Sequence, residues 1–457
     1  MTTKSELWAW KQLSRRNFLR LSSASPLALS AAGTASARED FVVTSAVTTF
    51  QNTQAANRQA AIREFLNRRT CLRQEVETFL NPTQPNWARF DPELGYTLRD
   101  NILKDGIDGS RTITSYQKTG QRTMINYAHL PCRINTYGNS FTQGLQASDG
   151  ETWQEYLAAH LGEPIRNFGI GGYGTYQAYR RMLREESGPL NAEYILLNIW
   201  DIDDYLRSIN AWQWLRRAEY LWGRPERLYM FAGNPWVHIR LDLETGEAIE
   251  RENAFSTPES LWKLADPEFV YEHFKDDLVV KLRVAEQNGA AADREELEAL
   301  ARALNVQADV NSPEATSATA HAVHIAYALR AGMKVIEKAQ AFASSHHKKL
   351  MILLSCGEGS VIRACEGRPR VDQSVVDFLK EKKIPFVDGL SKHVEDFRSF
   401  ELSPQAYVKR YYIGHYKPQG NHFFAFVIKD AVVDCLNPKP VAYRAGSETI
   451  PTIPAVV

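Results

Sequence analysis

The chain has 457 residues, of which 44% are hydrophobic and 24% are charged. These proportions are typical of a globular protein with a sizeable core and exclude a disordered or collagen-like chain. Basic and acidic residues number 54 each. This balance argues against a nucleic-acid-binding function, because such proteins need a basic surplus to displace phosphate counterions. Five cysteines are too few for a disulfide scaffold, and no apolar run is long enough to predict a membrane-spanning helix.

The first 37 residues have the features of a targeting segment. Arg15 and Arg16 form a twin-arginine pair, a mildly apolar stretch covers residues 19–35, and the small-x-small run Ala35-Ser36-Ala37 closes the segment. Together they resemble a Tat signal peptide, with cleavage after Ala37. The resemblance implies the Tat translocase as a partner during export and a periplasmic or secreted location. An amphipathic basic helix of the mature protein is the structural alternative.

Residues 38–130 are interpreted as a lead-in to the main domain. Apolar residues at loosely helical spacing predict one helix from Ala55 to Phe79, which the proline-containing run at 81–85 ends. The following polar stretch has β-prone patches and predicts short strands.

An alternation of strands and helices begins in residues 131–204. The pattern predicts strands at 133–137, 164–168 and 194–200, and it predicts helices at 152–161 and from Thr175 to Arg184, with Thr175 as a helix cap. The run Tyr194–Trp200 is almost continuously apolar, as in a strand that is buried on both faces.

The same alternation resumes in residues 319–437, with a long helix, strands at 349–355 and 384–387, and a last helix from Gly420 to about Leu436. Between the two parts, residues 205–318 form a predicted insertion that contains a hairpin over Trp236–Arg251 and a helix over Asp293–Leu304. An extended tail is predicted for 438–457. Strands alternating with helices predict an α/β fold with a parallel sheet covered on both sides.

The odd number of cysteines leaves at least one thiol unpaired within the chain. Cys356 and Cys365 flank a glycine-containing loop and are the predicted disulfide pair, with buried free thiols as the alternative. No CxxC or HExxH spacing is present, so the sequence predicts no metal site.

The most informative motif is Gly138-Asn139-Ser140-Phe141, which lies between a predicted strand and a predicted helix. A serine in such a turn lies where ligands bind in open α/β sheets. Its hydroxyl becomes a nucleophile only when a base removes its proton. A serine that merely caps the following helix is the structural alternative.

Three further blocks follow in order: residues 167–175 with four glycines, the strand end at 198–204, and residues 415–422, which open the last helix. In order and context the four blocks resemble those of the SGNH/GDSL hydrolase family. The resemblance covers roughly 133–204 and 350–436. It implies a three-layer α/β/α fold and an esterase that acts on short acyl esters, including acetyl esters of carbohydrates. It implies no metal or organic cofactor.

The resemblance also implies roles for individual residues. Ser140 would be the nucleophile and would provide one oxyanion donor through its backbone N–H. Gly172 would supply a second backbone donor, and His415 would be the general base. His422, which lies inside the last helix, is assigned a packing or capping role instead.

Two positions depart from the family pattern. Ile202 or Asp203 stands where the family has an oxyanion-binding asparagine, and Asp203 is taken as the residue that lines the site. No acid stands just before His415, where Tyr412 and Ile413 occur. The arrangement is therefore either a Ser-His dyad that uses a carbonyl group, or a triad whose acid comes from elsewhere, with Asp388 and Glu401 as candidates.

Three other functions remain open. Gly169, Gly171 and Gly174 fit the GxGxxG pattern of dinucleotide-binding proteins. The two departures also fit a non-catalytic carbohydrate-binding module on a decayed hydrolase scaffold. An acyltransferase that uses a sugar hydroxyl as the acceptor is the closest enzymatic alternative. In the insertion, the tryptophans could stack on sugars or simply pack, and they are Trp212, Trp214, Trp222 and Trp236.

Overall fold

The computed structural model describes residues 55–84, 86–209 and 233–444. The predicted signal peptide, three of the four insertion tryptophans and the last part of the predicted tail therefore lie outside the described residues. None of the helices in the described ranges is both long enough and apolar enough to cross a membrane.

The strands form one central sheet and three hairpin-like pairs. Their bounds are β1 Ala88–Asp91, β2 Gly95–Leu98, β3 Asn101–Leu103, β4 Thr112–Thr114, β5 Ile134–Tyr137, β6 Arg166–Asn167, β7 Tyr194–Trp200, β8 His238–Leu241, β9 Ala248–Arg251, β10 Lys349–Ser355 and β11 Phe386–Asp388. The central sheet has the order β11-β10-β7-β5-β6, and every pair in it is parallel. This confirms the predicted α/β fold with a parallel sheet.

The helices cover both faces of this sheet. Their bounds are α1 55–67, α2 Arg73–Leu80, α3 Ser140–Gln143, α4 Trp153–Leu161, α5 Thr175–Glu186, α6 Asp201–Ile209, α7 Pro258–Leu261, α8 Pro267–Phe274, α9 Leu278–Gln287, α10 Arg294–Ala303, α11 Pro313–Ser345, α12 Glu358–Cys365, α13 Gln373–Glu381, α14 Gly389–Phe397, α15 Pro404–Val408 and α16 Pro418–Cys435. Side chains of β7 alternate between two cores: Ile195 and Leu197 enter one, and Tyr194 and Leu196 enter the other. This alternation follows from the pleat of a strand buried on both faces.

The lead-in differs from its prediction. The single helix predicted from Ala55 to Phe79 is wrong, because α1 ends at residue 67 and α2 begins only at Arg73. A contact distant in sequence causes the break: the Cys71 N–H donates to the Leu264 carbonyl oxygen at 2.8 Å. Leu72 then caps α2 by donating its N–H to the Glu75 carboxylate at 2.7 Å. Helical spacing alone cannot reveal such a partner.

The insertion contains the predicted hairpin, with β8 antiparallel to β9, and the predicted helix α10, which Asp293 caps. Trp236 is 2% exposed and packs against Gly95, where an added Cβ would lie 2.3 Å from the indole ring. This tryptophan therefore has a packing role and does not form a wall for sugars.

The predicted disulfide is absent, because Cys356 and Cys365 are both free thiols. Cys356 is buried at the end of β10, whereas Cys365 is the last residue of α12. A helix of this length separates its ends by about 10 Å. The Cα atoms of a disulfide lie within about 7 Å of each other, so the pair cannot close without moving the helix.

Candidate functional site

The candidate site lies at the carboxyl edge of the sheet, where β5 and β7 end next to each other. Their register pairs Tyr137 with Leu197. Ser140 comes three residues after Tyr137, and Trp200 comes three residues after Leu197. This edge is where ligands bind in open parallel sheets.

Ser140 is the first residue of the short helix α3 and is 7% exposed. Asn139, rather than Ser140, caps this helix, because its side-chain oxygen accepts the Phe141 N–H at 2.8 Å. The interpretation of Ser140 as a capping residue is therefore wrong. The Asn139 amide is in turn held by the Asp204 carboxylate, to which it donates at 2.8 Å. Burial raises the pKa of Asp204 to about 7.

His415 reaches Ser140 from a loop 275 residues further along the chain. Its Nε2 lies 2.8 Å from the Ser140 Oγ, within hydrogen-bond distance. The loop is a tight turn in which Tyr412 and Tyr416 form an antiparallel bridge, and Gly414 has a φ of +110°. His422, in contrast, is exposed on α16 and packs edge-on against Tyr156.

The other ring nitrogen of His415 faces a residue that the sequence analysis missed. Gln146 Oε1 lies 3.2 Å from His415 Nδ1 and also accepts the His415 backbone N–H at 2.8 Å. No motif marks Gln146. Its only signal in the sequence is its place in the loop that follows the serine-bearing helix.

Neither acid proposed as the third triad member is the partner of His415 Nδ1. Asp388 forms an ion pair with Arg370 at 2.6 Å and caps α14 by accepting the Ser391 N–H. Its position at the end of β11 favours these local partners over a histidine that approaches from another loop. Glu401 is exposed on the surface before α15. The predicted alternative of a carbonyl partner fits the geometry, with a side-chain amide supplying the carbonyl.

The surroundings of His415 oppose its protonation. His415 is half-buried, and this burial, together with the positive charge of Arg207 on α6, lowers the pKa of His415 to about 4. The Arg207 Cζ lies 5.8 Å from the centre of the Trp200 ring, and its Nη1 is 3.9 Å from Asp204 Oδ1. The sequence analysis did not identify Arg207, because nothing in the motif blocks indicates which face of α6 lies toward His415.

The segment from Gly169 to Gly172 runs beside Ser140. The Ile170 N–H donates to the Gly138 carbonyl oxygen at 3.0 Å, and a Cβ added to Gly171 would lie 3.6 Å from the Ser140 Cβ. The Gly171 N–H is occupied by Gln143 Oε1 at 2.9 Å. Gly172 has a φ of +86°, and its N–H has no protein acceptor within the described ranges. It is the free donor of this segment.

The block at residues 198–204 ends β7 and begins α6. Its three acids have different environments. Asp201 has a φ of +49° and accepts the Ser360 hydroxyl at 2.5 Å. Asp204 is buried and holds Asn139. Asp203 is half-buried in the first turn of the helix, and its side chain makes no hydrogen bond to another described residue.

The glycines of the GxGxxG pattern allow close packing of chain segments. A Cβ at Gly169 would lie 2.2 Å from the Gln143 nitrogen, and one at Gly174 would lie 2.6 Å from the Ser208 nitrogen. The space beside both glycines is therefore filled by backbone of the protein, which argues against a phosphate-binding loop. Within the described ranges, no group of three His, Cys, Asp or Glu side chains could hold a metal ion.

The similarity of this chain to known proteins is weak. No protein-family model and no curated protein sequence matches the chain. Among solved structures, one from Desulfitobacterium hafniense DCB-2, provisionally described as a lipolytic protein of the G-D-S-L family, is 10% identical. The match covers 65% of this chain and 98% of that one, with a TM-score of 0.29.

Proposed function

We propose that this protein is a serine esterase of the SGNH type. The observation that carries the proposal is the 2.8 Å separation of Ser140 Oγ and His415 Nε2 at the carboxyl edge of a parallel sheet. A hydroxyl next to an unprotonated imidazole can lose its proton as it attacks a carbonyl carbon. The lowered pKa of His415 keeps that imidazole unprotonated at neutral pH.

The proposed reaction has two halves. Ser140 Oγ attacks the ester carbonyl while His415 Nε2 takes the serine proton. The tetrahedral intermediate then collapses, its bond to the alcohol oxygen breaks, and His415 gives the proton to the departing alcohol. Water next attacks the acyl-enzyme, again with His415 as the base, and releases the carboxylic acid and free Ser140.

The negative charge of each tetrahedral intermediate needs donors. We assign this role to the backbone N–H groups of Ser140 and Gly172, since Ser140 begins a helix and the Gly172 N–H is free. Such donors are worth roughly 3–4 kcal/mol each in comparable sites. The assignment of Asp203 as a third lining residue stays a prediction.

The substrates that we propose are short acyl esters, including acetyl groups on carbohydrates. Export through the Tat pathway to the periplasm or beyond, suggested by the twin-arginine pattern at Arg15 and Arg16, belongs to the same proposal. Transfer of the acyl group to a sugar hydroxyl would need only that an alcohol replaces water in the second half of the reaction.

Covalent labelling tests the nucleophile without knowledge of the natural substrate. A fluorophosphonate probe is expected to modify the protein stoichiometrically, because Ser140 Oγ attacks phosphorus, fluoride leaves and the proton passes to His415. Peptide mass spectrometry should locate the adduct on Ser140, and the Ser140→Ala variant should remain unlabelled. An unmodified wild-type protein, or an adduct on another serine, would contradict the proposal.

The pH dependence of kcat/KM is expected to report the protonation of His415. Activity requires the neutral imidazole, so activity should be full above the pKa of His415 and should fall as the pH drops through it. Since that pKa is about 4, the acid midpoint should lie near pH 4, well below the usual midpoint for an unperturbed histidine of about 6.5. Hydrolysis of p-nitrophenyl acetate, followed over this range, provides the measurement.

A further inference from the structure

We propose that Gln146 is the positioning residue of His415, and that a neutral side-chain amide here has the role that a carboxylate has in Ser-His-Asp triads. This inference rests on the proposed function and names the third member of the same site. The juxtaposition that carries it is Gln146 Oε1 at 3.2 Å from His415 Nδ1, on the side of the ring opposite Ser140.

The orientation of the Gln146 amide is determined by its other partner. Gln146 Nε2 donates to the backbone carbonyl oxygen of Asp105 at 3.0 Å, and a carbonyl oxygen can only accept. The Oε1 atom must therefore face His415, where it already accepts the His415 backbone N–H at 2.8 Å.

This orientation selects the tautomer of the imidazole. Because Gln146 Oε1 can only accept, the facing Nδ1 must carry the proton. The lone pair is then on Nε2, the atom that faces the Ser140 hydroxyl. In triads with aspartate, the carboxylate holds the imidazole in this same tautomer.

The loop that carries Gln146 is held rigidly by a buried arginine. Arg122 is 2% exposed, and its guanidinium donates to the carbonyl oxygens of Gln143, Gly144 and Ala147 and to the carboxylate of Asp149. Gln146 itself has a φ of +70°, a conformation that is costly for a residue with a side chain and persists only when surrounding contacts hold it. The loop is thus constrained to present this amide to His415.

A neutral partner has an electrostatic consequence. A carboxylate beside an imidazole favours the charged imidazolium, whereas an amide lacks the net charge to do so. The Ser140 hydroxyl and the Phe141 ring on α3 also contact the imidazole. Arg207 on α6 acts on it through its charge, with Asp204 beside that guanidinium. Arg207 opposes protonation.

Two substitutions separate the positioning role from a purely structural one. Gln146→Met keeps the length of the side chain but removes the acceptor, and Gln146→Glu replaces the amide with a carboxylate of the same shape. The readout is the rate constant for fluorophosphonate labelling of Ser140, measured from about pH 3 to about pH 8.

We expect Gln146→Met to label on the order of 100-fold more slowly at every pH, because the tautomer is no longer selected. Gln146→Glu should retain a rate within about 10-fold of wild type at the upper end of the range, and its acid midpoint should rise by about 1–3 pH units as the carboxylate favours the imidazolium. Gln373→Met, the same change at an exposed site on α13, should match wild type in both rate and midpoint.

The outcomes distinguish failure of the inference from failure of the proposed function. If wild type labels at Ser140 but Gln146→Met labels at the wild-type rate, Gln146 does not position His415. If wild type does not label, the proposed nucleophile itself is wrong. Circular dichroism spectra should confirm that each variant is folded before its rate is compared.

Discussion

Replacing either Ser140 or His415 with alanine is expected to lower kcat/KM for p-nitrophenyl acetate by about 10⁴-fold to 10⁶-fold. The two groups act as one unit, because the hydroxyl is unreactive without the base and the base has no proton to take without the hydroxyl. The double variant should therefore be no worse than the poorer single variant. Steady-state hydrolysis at neutral pH, with rigorous subtraction of background hydrolysis, provides the measurement.

His422→Ala is the matched control for this experiment. His422 lies seven residues after His415 and is exposed on α16, so its removal should leave kcat/KM within about 2-fold of wild type. A loss of activity in His422→Ala with retention in His415→Ala would reverse the assignment of the base. Activity that survives in Ser140→Ala would show that another nucleophile performs the reaction.

The second large effect is expected from Gly138→Ala, which should lower the free energy of unfolding by about 3 kcal/mol or more. Gly138 has a φ of +153°, where residues with side chains are strained. An added Cβ would lie 2.1 Å from the Thr142 hydroxyl oxygen and 2.6 Å from the Asn198 carbonyl oxygen. The backbone contact cannot be relieved by rotating a side chain, so the turn before Ser140 must shift. Urea denaturation gives the unfolding free energy.

Gly359→Ala is expected to change the free energy of unfolding in the opposite direction. Gly359 lies in α12, and a Cβ there would have no neighbour within 4 Å. Alanine should therefore stabilise the protein by about 0.5–1 kcal/mol, because it restricts the unfolded chain and favours the helix. If Gly138→Ala unfolds at the same urea concentration as wild type, the turn at residue 138 is packed less tightly than the distances imply.

The sequence predicted the central sheet well because its strands can be recognised from the local pattern of apolar residues. The runs Tyr194–Trp200 and Lys349–Ser355 are apolar along almost their whole length, and β7 and β10 have these same bounds. The break between α1 and α2 depends instead on a hydrogen bond from Cys71 to a residue almost two hundred positions away. No local pattern contains that information.

The candidate site was likewise predicted in part from local sequence and missed in part. Ser140 and His415 were predicted from motif blocks, and the geometry brings the two side chains within hydrogen-bond distance. Gln146 was missed because its role depends on a loop conformation with positive φ and on contacts to Arg122 and Asp105, which no spacing in the sequence encodes. The sequence left open a carbonyl partner for His415, but nothing in it indicated which residue would supply that carbonyl.

The contacts of Arg122 and Asp105 have a consequence for how this chain can be divided. Both residues precede β5, outside the strands of the parallel sheet, yet they hold the loop and the amide that face His415. A fragment that keeps all five parallel strands and discards this preceding stretch would retain Ser140 and His415 but lose the contacts that hold Gln146 against His415. We therefore expect the smallest active fragment to begin before residue 105, so a recombinant fragment or a chimera would have to include that stretch.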